Sequence, residues 1–284
     1  MKPRRRHDAV WFWAIRIIAY STVAVTGYII FDIIRHGLPA IDWSFLTEYP
    51  RRGGAAGGIF PAIIGTLLLV IGTIAVALPL GMATAVYLSE YARRNRYTEI
   101  VRMAIITLAG VPSIVYGLFG LGLFVLFLHM GASILAGSLT LACMTLPTII
   151  VSSEEALRAV PMSLREGSLA LGATKWETIY KNVLPHAVPG MLTGSILGIG
   201  RAAGETAPIL LTVAAFYLPN LPRSIFDQVM ALPYHLYVLA TQHPNAEQIR
   251  PMQYGTAFVL LALVLIVNAA AIWLRIRIRR SQRW

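Results

Sequence analysis

Arg201 and Glu205 stand one helical turn apart in GSILGIGRAAGETAPILLTVAAF, inside a stretch otherwise apolar enough to span a bilayer. On an insertion scale an arginine or an acid near the bilayer centre costs roughly 2.5 to 3.5 kcal/mol, so the two must pair or line a wet cavity. The guanidinium is planar, permanently charged and forked, which suits a tetrahedral oxyanion, and a dry wall strengthens its field. An isolated buried arginine would hold such an anion too tightly to release it. Glu205, about 6 Å along the axis by helical rise, is placed to compete for the guanidinium when the anion leaves. The pair therefore suggests that Arg201 contacts a passing oxyanion and Glu205 is its counter-ion in the empty state. The same spacing also suits a self-neutralising pair that locks this helix to a neighbour, and the residues alone leave both readings open. Ser113, Thr206, Thr145 and Tyr116 offer further hydroxyl donors, each with carbonyls of its own helix to bond instead.

Around this pair, Gly190, Gly194, Gly198 and Ala202 recur every four residues, a ridge of small side chains that admits a second helix closely. Arg201 and Glu205 lie about 100° around from Gly198 and Ala202, which puts them beside the seam and facing a crevice between helices. Pro79, Pro112, Pro147 and Pro208 punctuate apolar stretches, and each permits a bend.

The elements that carry these residues are membrane helices. The 284-residue chain is 57% hydrophobic and only 13% charged, with a mean hydropathy of +0.66, which excludes a soluble domain. Six apolar stretches have spanning length, at about 10 to 34, 59 to 88, 100 to 128, 132 to 151, 187 to 216 and 256 to 274. The first follows a basic flank but is well beyond the roughly 7 to 15 residues of a signal-peptide core, so it reads as a retained helix. The expected fold is all-α and polytopic. It divides into residues 1–58 (tail, first span and outer loop) and a core at 59–284.

The net charge of +11 raises the possibility of nucleic acid, but the distribution points to topology. If the spans alternate, 17 of the 24 Lys and Arg fall on one side: Lys2, Arg4, Arg5 and Arg6; Arg93, Arg94, Arg96 and Arg102; Arg158, Arg165, Lys175 and Lys181; Arg275, Arg277, Arg279, Arg280 and Arg283. The positive-inside bias then places both termini in the cytoplasm. The single Cys143 excludes an internal disulfide and a thiolate cluster. The six histidines are scattered with no pair at i, i+4, so no metal site is expected.

Two outer loops are long, at 36–58 and 217–255. The second contains SIFDQVMALPYHLYVLATQ, where Ser224 followed by Asp227 suggests a short helix interrupted at Pro233, either on the membrane surface or re-entrant. The inner loop 152–186 carries two helix-start signatures, Ser163 with Glu166 and Thr174 with Glu177. Gly172 stands between them as a left-handed stop, and Pro185 closes the second helix. The unit reads as helix, tight turn, helix. It is a rigid lever for a cytoplasmic partner, and Glu154, Glu155, Glu166 and Glu177 cancel the basic charge that a DNA reader would need.

Within that loop, REGSLALGATKWETIYKNVLP resembles the EAA motif of ABC importer permeases, E-A-A-x3-G-x9-I-x-L-P. Glu166, Gly172, Leu184 and Pro185 match; Gly167 and Ser168 replace the alanines, and Asn182 replaces the isoleucine. GGIFPAIIGTLLLV, VPSIVYGLFG, TLPTIIVSSEEALRAVP and GRAAGETAPILLT narrow the resemblance to permeases of phosphate-specific importers, PstA type more than PstC type.

This resemblance implies a type I ABC importer permease fold in a bacterial inner membrane. It further implies that Glu166, Gly172, Ala173, Thr174 and Lys175 couple to an ATPase, and that Arg201, Glu205, Ser113 and Thr206 line a phosphate path. Expected partners are a second permease (PstC type), two ATPase subunits (PstB type), a periplasmic phosphate-binding protein (PstS type) and membrane lipid. The chain itself is expected to be no enzyme and to hold no cofactor: no G-x4-G-K-[ST] occurs, so ATP–Mg belongs to the partner ATPase. Alternatives are an importer of sulfate, molybdate or phosphonate, a non-transporting phosphate sensor, and a passive anion channel.

Overall fold

The computed structural model describes residues 3–51, 56–93, 95–218, 220–242 and 247–280. Lys2, Arg52, Arg94, His243 and Arg283 lie outside the described residues. Twelve α-helices are described: α1 (Pro3–Gly37), α2 (Trp43–Thr47), α3 (Phe60–Val86), α4 (Arg96–Leu108), α5 (Ser113–Gly120), α6 (Ile134–Arg158), α7 (Met162–Ala170), α8 (Lys175–Thr178), α9 (Leu184–Gly204), α10 (Ala207–Thr212), α11 (Leu232–Thr241) and α12 (Arg250–Arg280). A two-residue hairpin in the first outer loop pairs β1 (Pro50–Arg51) antiparallel with β2 (Ala56–Gly57).

Five helical rods have the length and apolarity to cross a membrane, and α4 with α5 makes a sixth span if the bent pair is counted as one. α6 is the central element, packed against α3 on one side and α9 on the other, with α5 and α10 along its outer half. α1 touches the bundle along α12, and its apolar side chains from Trp11 onward are largely exposed, as expected of a lipid-facing helix. At the end of the bundle next to α7 and α8, Ala85, Leu157, Val160, Val183, Ala187 and Met191 form one buried cluster.

Several expected boundaries move, each for an identifiable backbone reason. The third span is not one helix: α4 and α5 meet at 105°, because Pro112 holds ψ at 141° and cannot continue α4. The fifth span does not run from 187 to 216. It begins at Lys175, since α8, a π-helical turn (Ile179–Val183) and α9 are continuous, and it ends at Gly204. Pro185 therefore does not close a helix. The π turn sends the Leu184 N–H to the Ile179 carbonyl five residues back, and the wider turn accepts a proline immediately after it. At the other end Pro208 has no N–H for the Gly204 carbonyl, and Glu205 turns extended at ψ 131°, so α10 starts afresh. Pro79 and Pro147 sit inside uninterrupted helices, so of these four prolines only Pro112 and Pro208 stand at helix breaks.

In the outer loop, Ser224 and Asp227 do not start a helix. The Asp227 carboxylate instead accepts from the Arg223 and Ser224 backbone N–H groups at 2.7 and 2.9 Å, closing a turn, and this lowers its pKa. The helix is α11, which Pro233 opens within its first two positions, where a missing N–H costs nothing. It packs inward on α3 and α12.

Candidate functional site: an arginine at a helix break and a lever at the inner face

The inner lever is built from α7 and α8. Ser163 does not cap α7: Pro161 takes the cap position and starts the helix one residue earlier than Ser163, so Glu166 does not fold back. Glu166 is left exposed, with no hydrogen bond or ion pair among the described residues. The second signature does form. Thr174 Oγ1 accepts from the Glu177 N–H at 3.3 Å, and the Glu177 carboxylate accepts from the Thr174 N–H at 3.0 Å. Between the helices, Gly172 adopts φ +85°, and the Ala173 and Gly172 N–H groups bond the Ser168 and Leu169 carbonyls. Leu171 is thereby projected almost entirely into solvent, at 91% exposure, with Met162, Leu169 and Trp176 also exposed around it. Lys175 is exposed, its ammonium 4.9 Å from the Tyr91 ring centroid.

Arg201 lies in the last turn of α9, where the free carbonyls favour a cation. Its Nε donates to Glu205 Oε1 at 3.0 Å, and that is its one hydrogen bond among the described residues. Both terminal nitrogens of the fork therefore remain open. The Arg201 side chain is 56% exposed and that of Glu205 16%, so the carboxylate is the sheltered partner. Leu197, one turn before Arg201, is also exposed, so the arginine lies on an open face of α9 and not in a crevice enclosed by this chain.

The glycine ridge faces α6. A Cβ at Gly190 would stand 2.8 Å from that of Ala156, one at Gly194 would collide with Ser152, and one at Gly198 would touch Ile149 at 3.7 Å. Ala202 is buried on the same face. α5 approaches the break just as closely: a Cβ at Gly117 would meet the Ala207 carbonyl at 2.9 Å. This brings α5, which begins at Ser113, alongside the Glu205–Thr206 break. Thr206 and Ser113 are half-buried. Tyr116 instead donates to the Leu108 carbonyl at 2.9 Å across the α4–α5 bend, and Thr145 bonds back to the Leu141 and Ala142 carbonyls.

Sequence reasoning missed a buried ion cluster at the inner face. Glu154, 8% exposed, lies 2.7 Å from both Arg102 and Arg158, and Arg102 also donates to the Leu88 carbonyl. The Arg158 partner is legible as an i, i+4 pair, whereas Arg102 arrives from another helix and leaves no local signal.

Residues 77–281 match the family described as binding-protein-dependent transport system inner membrane component. The chain is 35% identical to a probable ABC transporter permease protein, YqgI, of Bacillus subtilis, over 91% of its own length and 90% of the relative's. It is 40% identical to the phosphate transport system permease protein PstA 1 of Mycobacterium tuberculosis, with 90% and 83% covered, and 41% identical to PstA of Mycobacterium leprae, with 91% and 80% covered. Among solved structures, a bacterial ABC transporter involved in the import of alginate matches with a TM-score of 0.65 at 14% identity, covering 98% of both chains. The MetNI methionine ABC transporter, in inward-facing conformations, matches at 0.62 and 17%, covering 78% of this chain and 97% of that one. A family match over most of the chain, with relatives 35 to 41% identical across four fifths or more of both lengths, has one reading: the chain belongs to the family of binding-protein-dependent transport system inner membrane components, the permeases of ABC importers.

Proposed function

We propose that this permease carries phosphate inward, as one half of a path completed by a second permease of PstC type. The observation that carries the reading is the open fork of Arg201. A guanidinium tied to its counter-ion through Nε alone keeps two terminal nitrogens for an oxyanion, in a surface position that a partner subunit would enclose. Glu205, sheltered and already bonded, reclaims the guanidinium when the anion departs. The names of the mycobacterial relatives support phosphate over sulfate, molybdate or phosphonate.

Hydrolysis belongs to separate subunits, two ATPases of PstB type that bind ATP–Mg. They would grip the lever through Glu166, Gly172, Ala173, Thr174, Lys175 and the exposed Leu171. A periplasmic phosphate-binding protein of PstS type would dock on the outer loops. The basic bias of the inner segments supports cytoplasmic termini in a bacterial inner membrane.

The test is reconstitution of the complex in vesicles with binding protein and ATP. ATP-dependent, binding-protein-dependent phosphate uptake that is lost in an assembled Arg201→Gln complex supports the reading. Gradient-driven flux without ATP would indicate a channel, the absence of flux a sensor, and preference for another oxyanion a different substrate. Normal phosphate uptake in Arg201→Gln would end the role given to the arginine.

A further inference from the structure

Arg165 is the residue before Glu166, yet it points the opposite way. Its Nε and Nη2 donate to the two carboxylate oxygens of Glu90 at 3.3 and 2.8 Å, its Nη1 to the Val160 carbonyl at 2.7 Å, and its Nη2 also to the Leu157 carbonyl at 2.9 Å. The two side chains are 13% and 9% exposed. One guanidinium thus joins three pieces of chain: α7, which carries it; the π-helical turn Tyr87–Tyr91 that ends the α3 rod and carries Glu90; and the inner end of α6, whose last carbonyls it caps.

Removing two charges from water is costly, and a buried pair is tolerated only with good geometry and its remaining donors satisfied. The forked contact and the two carbonyl bonds meet that requirement. The fork holds the Glu90 carboxylate and two backbone carbonyls at once, which a lysine's point charge or a hydrophobic contact cannot reproduce. Beside it a crevice of 820 Å³ separates the lever from the bundle, lined by Ser89, Pro161, Leu169, Lys175 and Thr178 among others. α7 is therefore not simply packed flat on the helices behind it. Ser168 ties α7 to Thr178 and Asn182 of the α8–α9 rod, and the Arg165 clasp ties it to the ends of α3 and α6.

We propose that Arg165 and Glu90 are positioning residues for energy coupling: the clasp carries displacement of the lever into α3 and α6, while the continuous α8–α9 rod carries it to Arg201. Without the clasp, the lever moves α9 alone, and ATP is hydrolysed without a concerted opening of the bundle. The proposal rests on the phosphate-permease reading above.

The experiment isolates assembled complexes carrying Arg165→Lys or Glu90→Gln and measures, per assembled complex, basal ATPase activity, its stimulation by loaded binding protein, and phosphate taken up per ATP hydrolysed. Arg165→Lys keeps the charge and loses the fork. The expected result is basal ATPase within about twofold of wild type, with the uptake-to-hydrolysis ratio reduced about tenfold or more. Glu90→Asp, which keeps both charges and shortens the reach, supplies the same ratio if either first variant does not assemble. A purely structural clasp would lower the amount of complex and leave the ratio at its wild-type value, and that result overturns the proposal. A wild-type complex without ATP-dependent phosphate uptake overturns the underlying reading instead.

Discussion

Asn182 donates its side-chain N–H to Ser168 Oγ at 3.0 Å, and Ser168 in turn shares a 2.9 Å hydrogen bond with Thr178. Both Ser168 and Asn182 are departures from the EAA pattern, one replacing alanine and the other isoleucine. Where the pattern has two apolar groups, this chain has two polar ones that satisfy each other across the turn of the lever.

The two positions should therefore be energetically coupled. Ser168→Ala leaves the half-buried Asn182 amide and the buried Thr178 hydroxyl without their partner and is expected to cost about 1 kcal/mol or more, while Asn182→Ile leaves Ser168 bonded to Thr178 and should cost less. The double variant should cost less than the sum of the two, because the Asn182 amide is then gone and only the Thr178 hydroxyl stays unpaired. Thermal unfolding of the detergent-purified complex, run as a double-mutant cycle, checks this; additive losses would show that the bond contributes nothing.

Arg201→Gln should reduce phosphate uptake by about tenfold or more at unchanged assembly, in line with losing a charge-assisted contact of roughly 1.5 to 3 kcal/mol. Arg201→Lys should fall between this and wild type, because it retains a point charge without the fork. Initial rates of radiolabelled phosphate uptake in vesicles distinguish the three.

Gly172 sits at φ +85°, and a methyl group at its Cβ position would have nothing within 4 Å, so a side chain there meets strain and no collision. Gly172→Ala is expected to cost about 1 to 2 kcal/mol in the turn, and Gly172→Asn less, since asparagine tolerates the left-handed region. The measurement is the yield of ATPase retained by the permease on purification, with Asn above Ala.

His235 on α11 is buried and stacked on Phe216 at 5.6 Å, and neither ring nitrogen has a well-formed hydrogen bond. Burial lowers its pKa from 6.5 to about 4. The unfolded chain then binds a proton that the folded chain refuses, so stability is complete above about pH 6.5 and declines as the pH falls toward 4. Unfolding midpoints recorded across that window should drop in wild type and flatten in His235→Leu.

The spans were legible because apolar length is a local property, and so was the Thr174 cap, whose partners lie three residues apart. The two breaks were half legible. Four prolines looked alike in sequence, but only Pro112 and Pro208 interrupt their helices, while Pro79 and Pro147 are held within continuous helices of the central bundle. The Arg165–Glu90 contact left no trace, because its partners are 75 residues apart and no periodicity records a guanidinium crossing between elements. Arg201 and Glu205 were found as a pair, whereas their openness to one side depends on how α9 leans against α6.

The π turn at Ile179–Val183 sets an azimuth. A five-residue hydrogen-bond step holds one residue more than an α turn, and each residue advances a helix by about 100°. Deleting one residue as the turn relaxes to α would leave Arg201 at its present azimuth, whereas relaxing the turn with every residue kept would leave the rod intact but swing Arg201 by about that angle relative to Thr174. The arginine would then leave the open face, although no contact of its own had been touched. In this sense the widened turn is a phase adjuster, and it fixes which way Arg201 faces relative to Thr174, some 40 Å away by the rise of about 27 helical residues.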